Sequence, residues 1–260
     1  MHGLCLLLLL VFPASFVAAT RASSPEQQIF ELLNQERDKV GEPKLQWDDR
    51  LAQAAREHSN RMVDWNAIGH QFPGEPGVAE RIGSTGARFT QSAENVAKSF
   101  SPEEAHAALM TSPGHRENIL SEKYDAVGIG VVDHDGHLFV TEDFAKVVPA
   151  YSEQQFAEAV VAAFNAARRR NGQRKIDVRF DSQLHGLACS TNPQFEQKRQ
   201  LSSFGHELMM FTLSEPDKLP EQVVQKTLDK RPRTLDLGVC FKPDAQYGYA
   251  NFWVAVVLHP

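Results

Sequence analysis

Three short motifs in the first half of the chain carry side chains capable of acid-base or metal chemistry. His70 follows a glycine, Glu94 lies among small residues, and His115 follows Ser-Pro-Gly. Imidazole and carboxylate groups transfer protons near neutral pH and ligate transition metals. Each residue also has an ordinary structural explanation, as a loop histidine, a solvated carboxylate and a polar residue in a first helical turn. Their role depends on whether the fold brings them together.

The sequence lacks the short motifs of several other enzyme classes. It contains no His-Glu-x-x-His, no Gly-x-Ser-x-Gly, no phosphate-binding glycine-rich loop and no Cys-x-x-Cys. Ser59 or Ser112 can be paired with a histidine on paper, but a catalytic triad needs a third orienting group, and none can be assigned. Ser112 is better explained as a helix cap. We therefore set serine catalysis aside.

The other histidines fit structural roles. His58 falls on the apolar stripe of Leu51, Ala55 and Met62, which predicts a core histidine with one hydrogen bond rather than a ligand. Three more histidines of the first half lie on a predicted helix or at a predicted hairpin tip and are expected to be exposed: His106, His134 and His137.

Two stretches of the chain repeat one order of elements. Capping boxes at Ser24 and Ser152 each open an amphipathic helix, and Pro102 and Pro220 each open a later one. Each half then ends in paired apolar runs typical of a β-hairpin, at 127–131 with 138–141 and at 237–241 with 252–255. The order helix, helix, helix, hairpin predicts an α+β fold with helices packed on an antiparallel sheet.

We interpret this repetition as a degenerate tandem duplication, with one domain at residues 20–150 and a shortened copy at 151–260. The copy keeps the helices and the hairpin but has no counterpart of Gly69-His70 or of the Ser-Pro-Gly-His run. Residues 205–208 are interpreted as the counterpart of residues 93–96. The second half would then keep one carboxylate of the candidate site. The second half is therefore expected to be a packing or partner-binding module.

Composition and charge exclude two classes of protein. The chain has 27 Lys and Arg against 33 Asp and Glu, a net charge of −6, with 42% hydrophobic residues. These values are typical of a globular protein and not of a disordered one. The sequence pI of about 5.9 gives no basic footprint for nucleic acid, so no nucleic-acid partner is expected.

The N-terminus and the cysteines indicate export. Residues 4–11 are almost entirely apolar and are followed by Val17-Ala18-Ala19, which predicts a signal peptide at residues 1–19, with an uncleaved anchor as the alternative. No later stretch is long enough and apolar enough to span a bilayer. The mature protein is expected to be extracellular or periplasmic. Cys189 and Cys240 then remain, either as one disulfide or as two buried thiols.

Eight motifs follow one another over residues 25–147, and together they are far more specific than any one alone. They are Leu33-Asn34-x-x-Arg37, Leu45-x-Trp47-Asp48, His58-Ser59, Gly69-His70, Ala93-Glu94-Asn95-Val96-Ala97, Ser112-Pro113-Gly114-His115-Arg116, Val127-Gly128-Ile129-Gly130 and Thr141-Glu142-Asp143-Phe144. This series resembles the bacterial branch of the CAP superfamily. That superfamily includes cysteine-rich secretory proteins, insect venom antigens and plant pathogenesis-related proteins.

The resemblance implies a secreted α-β-α sandwich with a central cleft, and it places His70, Glu94 and His115 at matching motif positions of that cleft. Two imidazoles and one carboxylate suit Zn²⁺ or another divalent cation, and three protein ligands leave a position open to water. Glu142 is a fourth candidate, at a position where many relatives have glutamine. Whether it faces the cleft depends on the register of its strand.

The function expected from these features is a secreted binding module. Its cleft, or the glycine-rich loop at residues 66–90, would recognise a ligand, an envelope component or a partner protein. The alternative is a metal-dependent hydrolase, a protease or an esterase, acting on extracellular substrates. The two differ in whether a bound divalent metal activates water beside a substrate, because the resemblance implies no uniform reaction.

Overall fold

A computed structural model of the chain describes residues 23–190, 208–229, 231–243 and 249–259. The predicted signal peptide at residues 1–19 lies outside the described residues, as do residues 205–207 of the predicted counterpart of residues 93–96. Among the described residues, no helix combines the length and the apolar character needed to cross a membrane.

The described residues form eight helices and eight strands. In chain order they are α1 (Pro25–Val40), β1 (Gln46–Trp47), α2 (Asp49–Trp65), α3 (Val78–Ser84), β2 (Phe89–Ser99), α4 (Pro102–Thr111), α5 (Pro113–Leu120), β3 (Ala126–His134), β4 (His137–Val147), α6 (Glu153–Arg170), β5 (Asp177–Phe180), α7 (Ser182–Cys189), β6 (Leu208–Leu213), α8 (Glu221–Asp229), β7 (Thr234–Phe241) and β8 (Phe252–His259).

The first half is a three-layer sandwich around a four-stranded sheet in the order β1-β3-β4-β2. The strand β1 runs parallel to β3, and the other neighbours are antiparallel. Leu33 of α1, Leu109 of α4 and Ile119 of α5 pack on one face of the sheet. The helix α2 packs on the other face, where Gly128 lets its backbone approach closely. The predicted α-β-α sandwich is therefore confirmed.

The second half repeats this plan in a shorter form. Its sheet has the order β5-β7-β8-β6, with the same single parallel pair, and α7 packs over Gly238 as α2 packs over Gly128. The amide of Asn34 accepts a hydrogen bond from the Leu45 N–H at 2.8 Å, and Asn165 accepts one from the Ile176 N–H at 2.9 Å. The same buried asparagine thus fixes the same turn in both halves.

Several elements were missed by the sequence patterns. The strands β1 and β5 are too short to show an alternation, and β2 carries buried polar residues that hide its apolar side. The predicted loop at 66–90 contains the helix α3 and the first residues of β2. His106 was predicted to be exposed, and this was wrong: it is buried where α4 faces α1.

A disulfide joins Cys189 at the end of α7 to Cys240 on β7, with their Cα atoms 5.2 Å apart. Of the two alternatives for these cysteines, the structure contains the disulfide. The two halves also contact each other through aromatic side chains. The ring of Tyr249 stacks on Phe89 with centroids 5.3 Å apart, and the guanidinium of Arg88 lies 4.1 Å from the ring centre of Phe241.

Candidate functional site

The sheet register places two carboxyl groups side by side under α2. Glu94 on β2 is the direct cross-strand neighbour of Asp143 on β4, and Asp143 is paired on its other side with Gly128 of β3. Alternate residues of a strand face opposite sides, so Glu94 and Asp143 share the face of Gly128, which is the face covered by α2. Both acids are buried.

Glu94 is held between a buried cation and an exposed imidazole. One carboxylate oxygen accepts a hydrogen bond from the guanidinium of Arg81, on α3. The other lies 2.9 Å from Nδ1 of His70. Arg81 also donates to the backbone carbonyls of His70 at 3.2 Å and Pro76 at 2.9 Å. The same guanidinium therefore fixes both the carboxylate and the backbone that presents His70.

Asp143 is a buried acid that favours its neutral form. Among the described residues, no N–H or hydroxyl group donates a hydrogen bond to either carboxyl oxygen of Asp143. Burial raises the pKa of Asp143 well above its usual range, and the negative charge of Glu94 raises it further. A protonated Asp143 can donate to Glu94, which lies within hydrogen-bond reach. Burial beside another carboxyl group therefore favours the protonated form of Asp143.

A second buried pair anchors the segment that follows His70. Nδ1 of His58 lies 2.7 Å from Oε1 of Glu75, and its Nε2 lies 2.8 Å from the carbonyl oxygen of Gly69. The other oxygen of Glu75 accepts from the Phe72 N–H at 3.0 Å. His58 is thus a core histidine, as predicted, with two partners rather than one. It ties α2 to both ends of the turn that carries His70.

His70 and His115 come together at the surface. Their ring centroids are 6.4 Å apart, and the side chain of His70 is 58% exposed. Burial lowers the pKa of His115, and the nearby His70 lowers it further. His115 lies in the first turn of α5, whose N-cap residue is Ser112, although the Ser112 hydroxyl makes no capping bond. A lowered pKa favours the neutral imidazole, which is the form that binds metals.

The expected ligands His70, Glu94 and His115 do not surround one point. In the part of the chain that the structure describes, the only trio of metal-binding side chains with ligand atoms within 4.8 Å of one another is Glu153 with Cys189 and Cys240. The sulfurs of that trio form the disulfide and are not free to bind a metal. Glu94 contacts His70 and Arg81, which makes it a partner of the histidine instead of a third ligand.

Glu142 lies apart from the other candidates. It is adjacent to Asp143 on a regular strand, so it points to the opposite face of the sheet, the face of α1, α4 and α5. One of its oxygens accepts a hydrogen bond from Nδ2 of Asn95 at 2.9 Å, and the same amide donates to the His115 carbonyl at 3.1 Å. Burial raises the pKa of Glu142 to about 7. Its link to the site is through the backbone of His115, and the expectation of a fourth cleft ligand is not supported.

Apolar side chains are exposed on the chain segment around His70. Trp65 is 52% exposed and stacks on Phe72 with ring centroids 5.7 Å apart, and Ile68 is 55% exposed. We refer to His70, His115, Trp65, Ile68 and Phe72 as the histidine surface. It combines two imidazoles with an exposed aromatic face, a composition common in sites that bind small molecules.

Comparison with known proteins adds the family. The profile of the cysteine-rich secretory protein family, CAP, matches residues 30–144. The protein YkwD of Bacillus subtilis (strain 168) is 38% identical over 117 residues, which cover 45% of this chain and 46% of YkwD. The first half of this chain is a CAP domain of the bacterial branch.

Other relatives match the same CAP domain. The membrane protein YlbC of Bacillus subtilis (strain 168) is 30% identical over 125 residues, which cover 48% of this chain and 35% of YlbC. An extracellular protein containing an SCP domain, from Bacillus anthracis str. Ames, has a solved structure with a TM-score of 0.44 and 32% identity, covering 47% of this chain and 40% of that one. The chain thus spans less than half the length of the curated relatives it matches.

The sequence patterns missed three members of the CAP-domain site: Glu75, Arg81 and Asp143. Glu75 and Arg81 lie in the segment interpreted as a glycine-rich loop, where a buried ion pair leaves no periodic signal. Asp143 directly follows Glu142, and strand alternation requires that only one of the two can share a face with Glu94. The sequence therefore contains a signal for Asp143, but using that signal requires knowing the register in which β2 pairs with β4.

Proposed function

We propose that the CAP domain is an extracellular binding module whose ligand is recognised at the histidine surface with the help of a divalent cation. Nε2 of His70 and a ring nitrogen of His115 would hold the cation, and Zn²⁺ suits this donor set. One observation supports the proposal most: Nδ1 of His70 contacts Glu94, which leaves Nε2 as the ring nitrogen available for a ligand.

This arrangement is typical of histidines that bind metals. Such histidines donate their second ring N–H to a carboxylate, which fixes the tautomer and the ring orientation. Glu94 is in turn bonded to Arg81, so the orienting group is itself held in place. His70 must rotate only modestly to approach His115, since its side chain is exposed and the ring centroids are already 6.4 Å apart.

The domain boundaries expected from the sequence remain part of the proposal. Residues 20–150 would form the ligand-binding domain and residues 151–260 a packing or partner-binding copy. The repeated strand order of the two sheets supports this division. Export is supported by the disulfide, because disulfides persist mainly in oxidising compartments. Fractionation of cells that produce the full chain, with an N-terminal mass measurement of the mature protein, tests both export and cleavage near residue 19.

Hydrolysis remains the alternative function. A cation held by two protein ligands has positions open to water, and bound water of low pKa is the nucleophile of metal hydrolases. This alternative requires turnover of peptide or ester substrates that depends on the same two histidines. Binding of the metal without such turnover favours the binding module.

Calorimetric titration of the full chain with Zn²⁺ tests the proposal. His70→Ala and His115→Ala should each weaken binding by roughly 100-fold or more, because each removes one of two protein ligands. His134→Ala is the matched control, since His134 is an exposed histidine at the tip of the β3–β4 hairpin. Thermal melts of all three variants should match the parent protein. Unchanged zinc binding in the first two variants would exclude the metal site.

A further inference from the structure

A second candidate site lies in the other half of the molecule, in a polar cleft of about 660 Å³. The cleft is formed by the end of α6, the turn before β5 and the segment before β7. Besides the buried Arg168, four cationic side chains line it, against a single carboxylate, that of Asp177. The cations are Arg174, Lys175, Arg231 and Arg233.

The cleft is built on a buried arginine that is not itself available to a ligand. Arg168 donates to the carbonyl oxygens of Arg174 at 2.8 Å, Thr227 at 3.0 Å and Pro232 at 3.3 Å. Two of these carbonyls belong to the two walls of the cleft. The guanidinium of Arg168 therefore fixes the spacing of the walls, and the cations on them are presented from a held backbone.

The four cations lack carboxylate partners. Within the ranges that the structure describes, none of Arg174, Lys175, Arg231 and Arg233 forms an ion pair. All four are exposed. Like charges grouped in a concave site repel one another, and they raise the local concentration of anions. The grouping is therefore unfavourable for the protein alone and favourable for an anionic ligand.

The first half shows that the fold does not require these cations. Arg37 occupies the position of Arg168 there, donating to the carbonyls of Pro43, Ile119 and Ser121. The residues after Arg37 carry both signs of charge, and Lys44 pairs with Asp38 at 2.9 Å. The same scaffold is thus neutralised in one half and left cationic in the other.

We propose that this basic cleft binds phosphate groups, and that its ligand carries more than one of them. Guanidinium groups match phosphate oxygens with paired hydrogen bonds, which makes arginine the preferred residue for this recognition. Three arginines and a lysine on two walls can contact several phosphates at once. A soluble phosphate chain and a phospholipid headgroup share this chemistry.

Titration of the full chain with tripolyphosphate at low ionic strength tests the proposal. The double variant Arg174→Gln/Arg233→Gln removes one cation from each wall and should weaken binding by roughly 10-fold or more. Raising the salt concentration should weaken binding to the parent protein, because mobile ions screen the exposed cations. The matched control is Lys44→Gln/Lys123→Gln, which removes two exposed cations of the first half, one just before β1 and one two residues after Ser121, and should leave binding unchanged.

Vesicles of phosphatidylcholine with cardiolipin, whose headgroup carries two phosphates, distinguish the two sources of phosphate. Binding to these vesicles that is lost in the double variant assigns the cleft to a lipid headgroup, and tripolyphosphate binding without vesicle binding assigns it to a soluble ligand. The proposal is overturned if the parent protein does not bind tripolyphosphate, or if the double variant and the control bind it equally well. Thermal melts confirm that both variants remain folded.

Discussion

Gly128 and Gly238 occupy the same place in the two sheets, because in each half a Cβ atom there would meet the backbone of the packed helix. Because these glycines match, the residues paired with them across each sheet can be compared between the two halves. The strand pairs read Glu94, Asp143 and Gly128 in the first half, and Met210, Ala255 and Gly238 in the second. On the opposite face, the pair Asn95 and Glu142 corresponds to Phe211 and Val254.

The second half therefore builds the same sheet with apolar residues where the first half buries ionisable ones. Burying a charged group costs free energy unless it is paired, and an apolar replacement of similar volume is often neutral or stabilising. The fold alone gives no reason to keep Glu94, Asp143 and Glu142. Glu94 contacts His70, and Glu142 bonds to Asn95, which holds the backbone of His115, so these polar groups would serve the proposed site instead of the sheet.

The two halves also differ in how the covering helix meets the sheet. Gly130 corresponds to Cys240, two residues beyond the matched glycines. A Cβ atom at Gly130 would lie 2.3 Å from the backbone of Ala55 and Arg56 on α2. In the second half, Cys240 instead bonds to Cys189 on α7. Close approach in the first half lets Ser59 of α2 bond to Thr141 at 2.9 Å, whereas a covalent link holds the second half.

The largest effect is expected from Arg81→Met. This change removes the only guanidinium bonded to Glu94 among the described residues and leaves buried carboxylates without their counter-charge. The expected loss in the free energy of unfolding at neutral pH is about 3–5 kcal/mol, measured by urea denaturation. A variant as stable as the parent protein would show that the buried cluster carries no net charge.

A triple variant sharpens this test by giving the two acidic positions of the first half the residues of the second. Combining Arg81→Met with Glu94→Met and Asp143→Ala removes the cation together with the acids, so most of the lost stability should return. Zinc binding should be weaker than in the parent protein, because His70 has lost its orienting carboxylate. A triple variant less stable than Arg81→Met alone would mean that the acids support the fold directly.

Removal of the disulfide should destabilise the second half by about 4 kcal/mol, the chain-entropy value for a link across 51 residues. The double variant Cys189→Ala/Cys240→Ala tests this. Hydrogen exchange should accelerate in α7, β7 and β8 while β3 and β4 keep their protection. Equal acceleration in both sheets would show that the two halves unfold as one unit. Each half would then have no separate free energy of unfolding to compare.

Gly130→Ala should destabilise the first half by about 3 kcal/mol, because the added methyl group meets helix backbone, which cannot move without shifting α2. Thermal melts and urea denaturation measure the loss. Gly186→Ala is the control: it lies on α7 with open space around it, so it should be neutral or slightly stabilising. If both variants behaved alike, the close approach of α2 to the sheet would not be a constraint.

The repeated fold could be predicted from the sequence because its signals are local. Capping serines, apolar helix stripes and the Asp135-Gly136 hairpin turn each act over a few residues, and both residues of that turn have positive φ. The strand β2 could not be predicted in this way. Its run Glu94-Asn95-Val96-Ala97 is buried on both faces and has no alternation of polar and apolar residues.

The site was predictable only in part. His70, Glu94 and His115 were found because they fall in motifs shared with a family, and His70 with Glu94 do contact each other. Arg81 and Glu75 were missed because buried ion pairs depend on which distant segments meet. The face of Glu142 stayed open because the side on which a strand residue lies is known only after the pairing register is known.

The smallest effect is expected from Glu142→Gln, and it depends on pH. Burial raises the pKa of Glu142 from 4.5 to about 7. The stability contributed by its protonated form is therefore complete below about pH 4.5 and is lost as the pH rises through about 7. Glutamine keeps an oxygen acceptor for Asn95 and does not ionise, so the variant should match the parent protein at about pH 4 and exceed its stability by about 2 kcal/mol at about pH 8.

Urea denaturation at both pH values measures this difference in stability. The control is Asp133→Asn, which replaces an exposed acid of the same sheet and should change the stability little at either pH. A Glu142→Gln variant that gained no stability at the higher pH would mean that the ionised carboxylate is stabilised in its buried position. The difference between Glu142 and Val254 would then not reflect a loss of stability in the first half.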